Sequence, residues 1–335
     1  VLSNYTYGTN VEIRVNMDMR VQGTVSIKVN GQTYTPTIVN GLATVTISGL
    51  GAGNYFVEAS YKGMGNFTDQ TINGTFSISK VTTDLHVTAP TIMYGNNATI
   101  TITSNGAKGT VTVVVGDKVQ TLTLVNGRAS WIIPGLAAGV YNVNVIYNTD
   151  GNFTEATANT TLTVSALSTN LRVDVANNTY GNDVTVSVYV QPGATGTVNI
   201  NVNGVDYTAT ITGGRATLTL TGLNAGKYTV NVTYPGDGNY NRDTATANFT
   251  ISPISAGLDV NVGNITYGDN ATVSIDVDPR ATGNVTVVVD GGAEQTVNIV
   301  NGKAVLVVPG LASGAHTVTV TYNTDGNFLT ATQTV

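Results

Sequence analysis

Cysteine is absent from this chain of 335 residues, so no disulfide can staple it and each folded unit rests on its own apolar core. Charge is scarce too: only 10% of residues are Asp, Glu, Lys or Arg, well under the usual share of about 25%. Solubility then falls to Thr, Asn, Ser and Gly. The 14 Lys plus Arg are spread thinly through a chain of net charge -6, which makes nucleic acid an unsuitable partner. No apolar run reaches the length a bilayer-spanning helix needs. Val1 is not an initiator and no signal peptide is visible, so the chain reads as a segment of something longer.

Chemically versatile groups are equally sparse. Catalysis needs acid, base or nucleophile groups that converge, and the chain has two histidines, His86 and His316. Ser and Thr are plentiful but have no partner base, and no Gly-rich phosphate loop lies between a strand and a helix. Enzyme is the class with the least support, and no cofactor is expected. The seven lysines do not share one repeat position, which argues against an internal Lys–Asn crosslink common to all units.

What is present is repetition. Tyr7-Gly8 returns as Tyr94-Gly95, Tyr180-Gly181 and Tyr267-Gly268, at intervals of 87, 86 and 87 residues. Gly49-Leu50 returns as Gly135-Leu136, Gly222-Leu223 and Gly310-Leu311. Gly65-Asn66-Phe67 returns as Gly151-Asn152-Phe153, Gly238-Asn239-Tyr240 and Gly326-Asn327-Phe328. Three landmarks with one period define four units, at residues 1–80, 81–166, 167–253 and 254–335. The period is too long for a solenoid coil and suits a small domain.

In the second unit, residues 97–104, 109–115, 119–125, 128–133, 140–147 and 156–164 are Val-, Ile- and Thr-rich runs, many with period-2 alternation. A leading strand is expected near Leu85-His86-Val87. No stretch carries an apolar stripe at helical spacing, so the chain is all-β. Asn30-Gly31, Asn203-Gly204 and Asp290-Gly291 mark one hairpin. Asn40-Gly41, Asn126-Gly127, Gly213-Gly214 and Asn301-Gly302 mark a second, since both central residues of a type I′ turn need positive φ. The count is seven strands, that of an immunoglobulin-like sandwich. Tyr55, Tyr141 and Tyr228 sit two residues before a core position at the start of the sixth strand, the place of a tyrosine corner, and His316 stands there in the fourth unit.

The pattern Tyr94-Gly95, Gly109-Thr110-Val111, Asn126-Gly127-Arg128-Ala129, Gly135-Leu136, Gly139, Tyr141 and Tyr147 to Phe153 resembles bacterial immunoglobulin-like domains of group 3. It is similar above all to the tandem copies in adhesin-like surface proteins of methanogenic archaea. The resemblance runs the length of the chain and implies extracellular display at a cell surface, with a spacing or adhesion role and no catalytic residue. Met64, in place of Asp150, Asp237 and Asp325, and His316 depart from the pattern.

The remaining candidates are weighed against plainer readings. Asp150, Asp237 and Asp325 could hold calcium, but one carboxylate per loop falls short of its several oxygen ligands, so a turn closed by its own side chains is favoured. Twelve Asn-x-Ser/Thr sequons stand against about eight expected by chance, and Asn97, Asn152 and Asn270 are the glycosylation candidates. Trp131 aligns with Val45, Leu218 and Leu306 on an inward phase and reads as core. Tyr61, Tyr147, Tyr234 and Tyr322 read as strand-end packing. The short segments Ile78 to Asp84, Val164 to Asn170 and Ile251 to Gly257 should join the units into an extended rod. At about 40 Å per unit its length is about 160 Å. Val335 stops about four residues before the last strand would finish, and Val1 starts inside the first strand, as in a window cut from a longer array. The expected role is a stalk or spacer segment of a long cell-surface adhesin-like protein, or part of an extracellular filament, with neighbouring copies of the chain or another cell surface as partners. Binding of a glycan or a cell-surface ligand through loops at the sandwich ends is the alternative.

Overall fold

A computed structural model describes residues 4–335, and the expectation for Val1 lies outside them. Every regular element among the described residues is a β-strand. The chain divides into two compact units, Val1–Ala166 and Leu167–Val335. Each unit contains two separate apolar cores, one per sequence repeat.

The second repeat shows the architecture. One sheet has three strands, Arg128–Ile133, Ala98–Ser104 and Leu85–Thr88, in that order. The other has five: Lys118–Thr123, Thr110–Val115, Gly139–Asn148, Thr157–Ser165 and Ile92–Met93. The first strand is therefore shared between the sheets. It breaks around Ala89-Pro90, where the ring removes a ladder donor, and its second half pairs in parallel with Val164–Ser165. Alternation decides what lies between the sheets: Ile100, Ile102, Val111, Val113, Val143, Val145 and Leu162 are fully buried while the intervening Thr and Asn face water. Each such side chain contributes roughly 1.5–3 kcal/mol by leaving water. The third repeat has the same three-plus-five arrangement, and the fourth pairs a three-stranded with a four-stranded sheet. The first has five strands over two among the described residues.

One expectation needs correction. Asn126-Gly127 does take positive φ at both residues, but the strands on either side belong to opposite sheets. The turn closes a single bridge, Val125 to Arg128, and carries the chain across the sandwich, so it is not a hairpin. Glycine is required by contact as well as by φ, since a Cβ on Gly127 would lie 2.7 Å from the Ser104 carbonyl oxygen. The short inter-repeat segments are paired into the sandwiches. Val81 bridges Phe153 in parallel, Leu167 bridges Tyr240, and Ile254–Ser255 pairs with Phe328–Leu329. Each segment is thus built into the repeat it introduces, and Thr83 locks the first of them by donating to the Thr154 carbonyl at 2.6 Å.

Candidate functional site: the junction between repeats

The Gly-Asn-aromatic turn follows the strand Gly139–Asn148, which begins just after the Gly135-Leu136 loop. The turn and that loop therefore lie at opposite ends of one sandwich. The turn is shaped by its aspartate. Asp150 Oδ1 accepts the backbone N–H groups of Asn152 and Phe153 at 2.9 and 3.3 Å. Asp237 and Asp325 do the same, and their Oδ2 atoms also accept the backbone N–H and hydroxyl of Thr195 and Thr282. Burial pushes Asp237 and Asp325 upward, but these donors outweigh it and hold both below the ordinary carboxylate value. Both oxygens of Asp237 and Asp325 accept from donors, and among the described residues no three His, Cys, Asp or Glu side chains come together to hold a metal. In the first repeat, where Met64 replaces the aspartate, Asp69 closes the turn instead through the Gly63 N–H at 2.7 Å.

What the turn presents is more informative than what shapes it. In the first unit, Asn152 of the second repeat accepts the Ala52 N–H of the first repeat at 2.9 Å. Phe153 meets Tyr7 edge-on, with ring centroids 5.8 Å apart and planes at 72°. In the second unit, Asn327 of the fourth repeat accepts the Ala225 N–H of the third at 2.8 Å and donates to Asn224 Oδ1 at 3.2 Å. Phe328 meets Tyr180 at 5.4 Å and 75°. Tyr7 packs on both cores of its unit, and Tyr180 on both cores of the other. Arg280, held by Asp278, adds its guanidinium 5.5 Å from the Tyr180 ring and 5.7 Å from Phe328. A Cβ on Gly181 would fall 2.5 Å from Arg280 Nη1, which, with a φ of +88°, explains the glycine after the tyrosine. The three landmarks of the sequence thus meet in space, each unit joining the Tyr-Gly and Gly-Leu ends of one repeat to the Gly-Asn-Phe end of the next.

The tyrosines divide into two sets. Tyr55, Tyr141 and Tyr228 each donate to the carbonyl four residues upstream, at 2.8, 2.9 and 2.9 Å. Their rings are only half-buried. His316 makes the same tie, its Nε2 lying 2.8 Å from the Ala312 carbonyl oxygen while Nδ1 lies 2.6 Å from Asp290 Oδ2. The carbonyl first, and then the carboxylate, favour the protonated ring and raise its pKa above the ordinary histidine value. Tyr61, Tyr147, Tyr234 and Tyr322 are the buried set, with hydroxyls donating to the carbonyls of Gln22, Lys108, Thr195 and Thr282. Burial pushes Tyr234 up to about 12. Trp131 is half-buried against its own core, and His86 is exposed beside Asp84. Asn97 and Asn270 are exposed, whereas Asn152 carries its amide into the junction.

The fold and the turn chemistry define a class: tandem immunoglobulin-like sandwiches. The family model described as bacterial Ig-like domain (group 3) matches residues 171–252 and 258–335, the third and fourth repeats. Among curated protein sequences none matches the chain. Among solved structures, the chain is similar to Sidekick-1 immunoglobulin domains 1–5 at 12% identity and a TM-score of 0.33, over 99% of this chain and 77% of that one. Fibronectin(III)-like modules of Clostridium thermocellum CbhA match at 16% identity and a TM-score of 0.22, over 50% and 94%. A Bacteroides ovatus mixed-linkage glucan utilization protein, SGBP-B, matches at 14% identity and a TM-score of 0.19, over 91% and 86%. No helix among the described residues is long and apolar enough to cross a membrane.

Proposed function

We propose that the chain is a spacer: a segment of a surface-displayed stalk that holds other parts of a protein at a set distance from the envelope. The observation that carries this reading is the junction, in which Asn327 and Phe328 of one repeat seat on Ala225 and Tyr180 of its neighbour. Such contacts remove hinge freedom, which is what a spacer needs and an enzyme or a lone binding domain does not. Because the two halves of the junction lie at opposite ends of each sandwich, docked repeats add length. A strand of ten residues spans about 33 Å, so with its end loops each repeat contributes about 40 Å and each two-repeat unit about 80 Å. The use of end loops for docking counts against loops that bind a glycan or a cell-surface ligand. Exposed sequons such as those at Asn97 and Asn270 suit extracellular display.

The test is a reach experiment. With the second unit, Leu167–Val335, tethered to a bead at one end and tagged at the other, deleting the fourth repeat, residues 254–335, should shorten the reach by about 40 Å. Unchanged reach contradicts the spacer, and glycan or cell binding by the chain itself supports the alternative.

A further inference from the structure

One row of paired residues across the smaller sheet changes chemistry from repeat to repeat while the scaffold under it stays fixed. In the second repeat the row is His86, Thr103 and Arg128. In the third it is Arg172, Tyr189 and Arg215, and in the fourth Asp259, Asp276 and Lys303. The first repeat offers Asn16 and Leu42. A spacer needs none of this variation, and residues that vary on a fixed scaffold are where binding resides. The third-repeat row brings two cations to one ring. Arg172 and Arg215 stand on the strands either side of Tyr189, with guanidinium carbons 4.1 and 5.7 Å from the ring centroid. The two charges are therefore no more than about 10 Å apart. Arg172 is held by Asp174, whereas Arg215 makes no ion pair among the described residues and gives one N–H to Ser187 Oγ at 3.1 Å. The rest of its exposed, planar fork suits a carboxylate or sulfate. An open groove of about 530 Å³ adjoins the row, lined by Asp174, Thr185 and Ser187.

We propose that the outer face of the three-stranded sheet in the third repeat binds an acidic polysaccharide, whose carboxylate or sulfate groups are separated by hydroxyl-bearing rings. Arg172 and Arg215 take two anionic groups of one ligand chain, and Tyr189 fixes the spacing of the guanidiniums. Thr185, Ser187 and Asp174 meet the sugar hydroxyls in the groove. Asp174 counts against a densely charged peptide, because its carboxylate would repel successive acidic side chains. This face is separate from the junction between repeats, so the spacer reading stands or falls independently of it.

Isothermal titration calorimetry of the full chain, produced without glycans, tests this with oligogalacturonate and a heparin oligosaccharide. At least one of the two should bind at one site per chain and bind more weakly as salt rises. The methyl ester of oligogalacturonate, which lacks the charge, should not bind. Arg215→Gln should weaken binding about tenfold. Its urea midpoint should be unchanged, because the side chain is exposed. Arg128→Gln, on the row without a ring, should leave binding as it was. Building the row into the second repeat with His86→Arg and Thr103→Tyr, beside Arg128, should raise the stoichiometry from one to two. No binding of either acid at about 10 mM overturns the proposal. So does binding that Arg215→Gln leaves intact, or a second-repeat row that adds no site. Polyglutamate binding as tightly as the acidic sugars overturns the assignment to a saccharide.

Discussion

Tyr180 and Tyr267 occupy the same position in successive repeats, but their surroundings differ. Tyr180 has an aromatic partner at 5.4 Å in Phe328 and a guanidinium at 5.5 Å, while Tyr267 is open to water. An edge-to-face pair is worth about 0.5–1.5 kcal/mol beyond its buried area, and a cation over an exposed ring about 0.5–1 kcal/mol. Tyr180→Ala should therefore destabilise its unit by about 2 kcal/mol, and Tyr267→Ala by under about 0.5 kcal/mol. Urea unfolding of the second unit gives both values, provided the slope is unchanged. Part of the Tyr180 effect belongs to packing on its own repeat, so the junction term comes from a double-mutant cycle with Phe328→Leu, which should show a coupling of about 1 kcal/mol. Hydrogen exchange adds a local reading: the Ala225 amide, protected by Asn327, should exchange faster in Tyr180→Ala. Equal losses for the two tyrosines, or a cycle that closes at zero, would refute the assignment.

Other predictions follow from the same geometry. His316 has a raised pKa in the folded state, so its contribution is complete below the unfolded value of about 6.5 and is lost as pH rises through the folded one. The fourth repeat should therefore soften on alkalinisation through neutral pH, and a thermal-denaturation series on His316→Tyr should lose that dependence. Tyr147→Phe leaves the Lys108 carbonyl without its donor at a buried site and should cost about 1–1.5 kcal/mol. Tyr141→Phe, at a half-exposed tie, should cost less than about 1 kcal/mol in the same chemical denaturation. EDTA should leave the melting temperature unchanged, and a loss of many degrees restored by calcium would show that the Asp150, Asp237 and Asp325 turns hold metal.

Much of the fold is legible in the sequence because alternation and turn chemistry are local. The runs 97–104, 128–133 and 156–164 agree with the strands Ala98–Ser104, Arg128–Ile133 and Thr157–Ser165 to within about a residue. The division of the first strand between two sheets is not legible, since Ile92–Met93 is two residues long and its partner lies about 70 residues away. Asn126-Gly127 reads correctly as a turn and wrongly as a hairpin, because a type I′ geometry does not reveal whether its strands stay in one sheet. The junction was hidden for a different reason. Repetition identifies Tyr7, Asn152 and Phe153 as important without saying which repeat each one faces, and an Asp-Gly-Asn turn explains itself locally. A signal was there: a turn needs no aromatic residue after it, yet Phe67, Phe153, Tyr240 and Phe328 recur at the same period as Tyr7.

The most direct test of docking within a unit uses the absence of cysteine, which lets spin labels be placed at will. Cysteines at Thr33 and Thr121, both exposed and one on each repeat of the first unit, report the distance between repeats by pulsed electron paramagnetic resonance. A docked junction predicts one narrow distance distribution in the wild-type background. Combining Tyr7→Ala with Asn152→Ala, which removes the ring contact and the hydrogen bond to Ala52, should broaden it severalfold while each repeat stays folded. A distribution already broad in the wild type, or one the double substitution leaves narrow, would contradict the claim that the Gly-Asn-Phe turn fixes one repeat on the next.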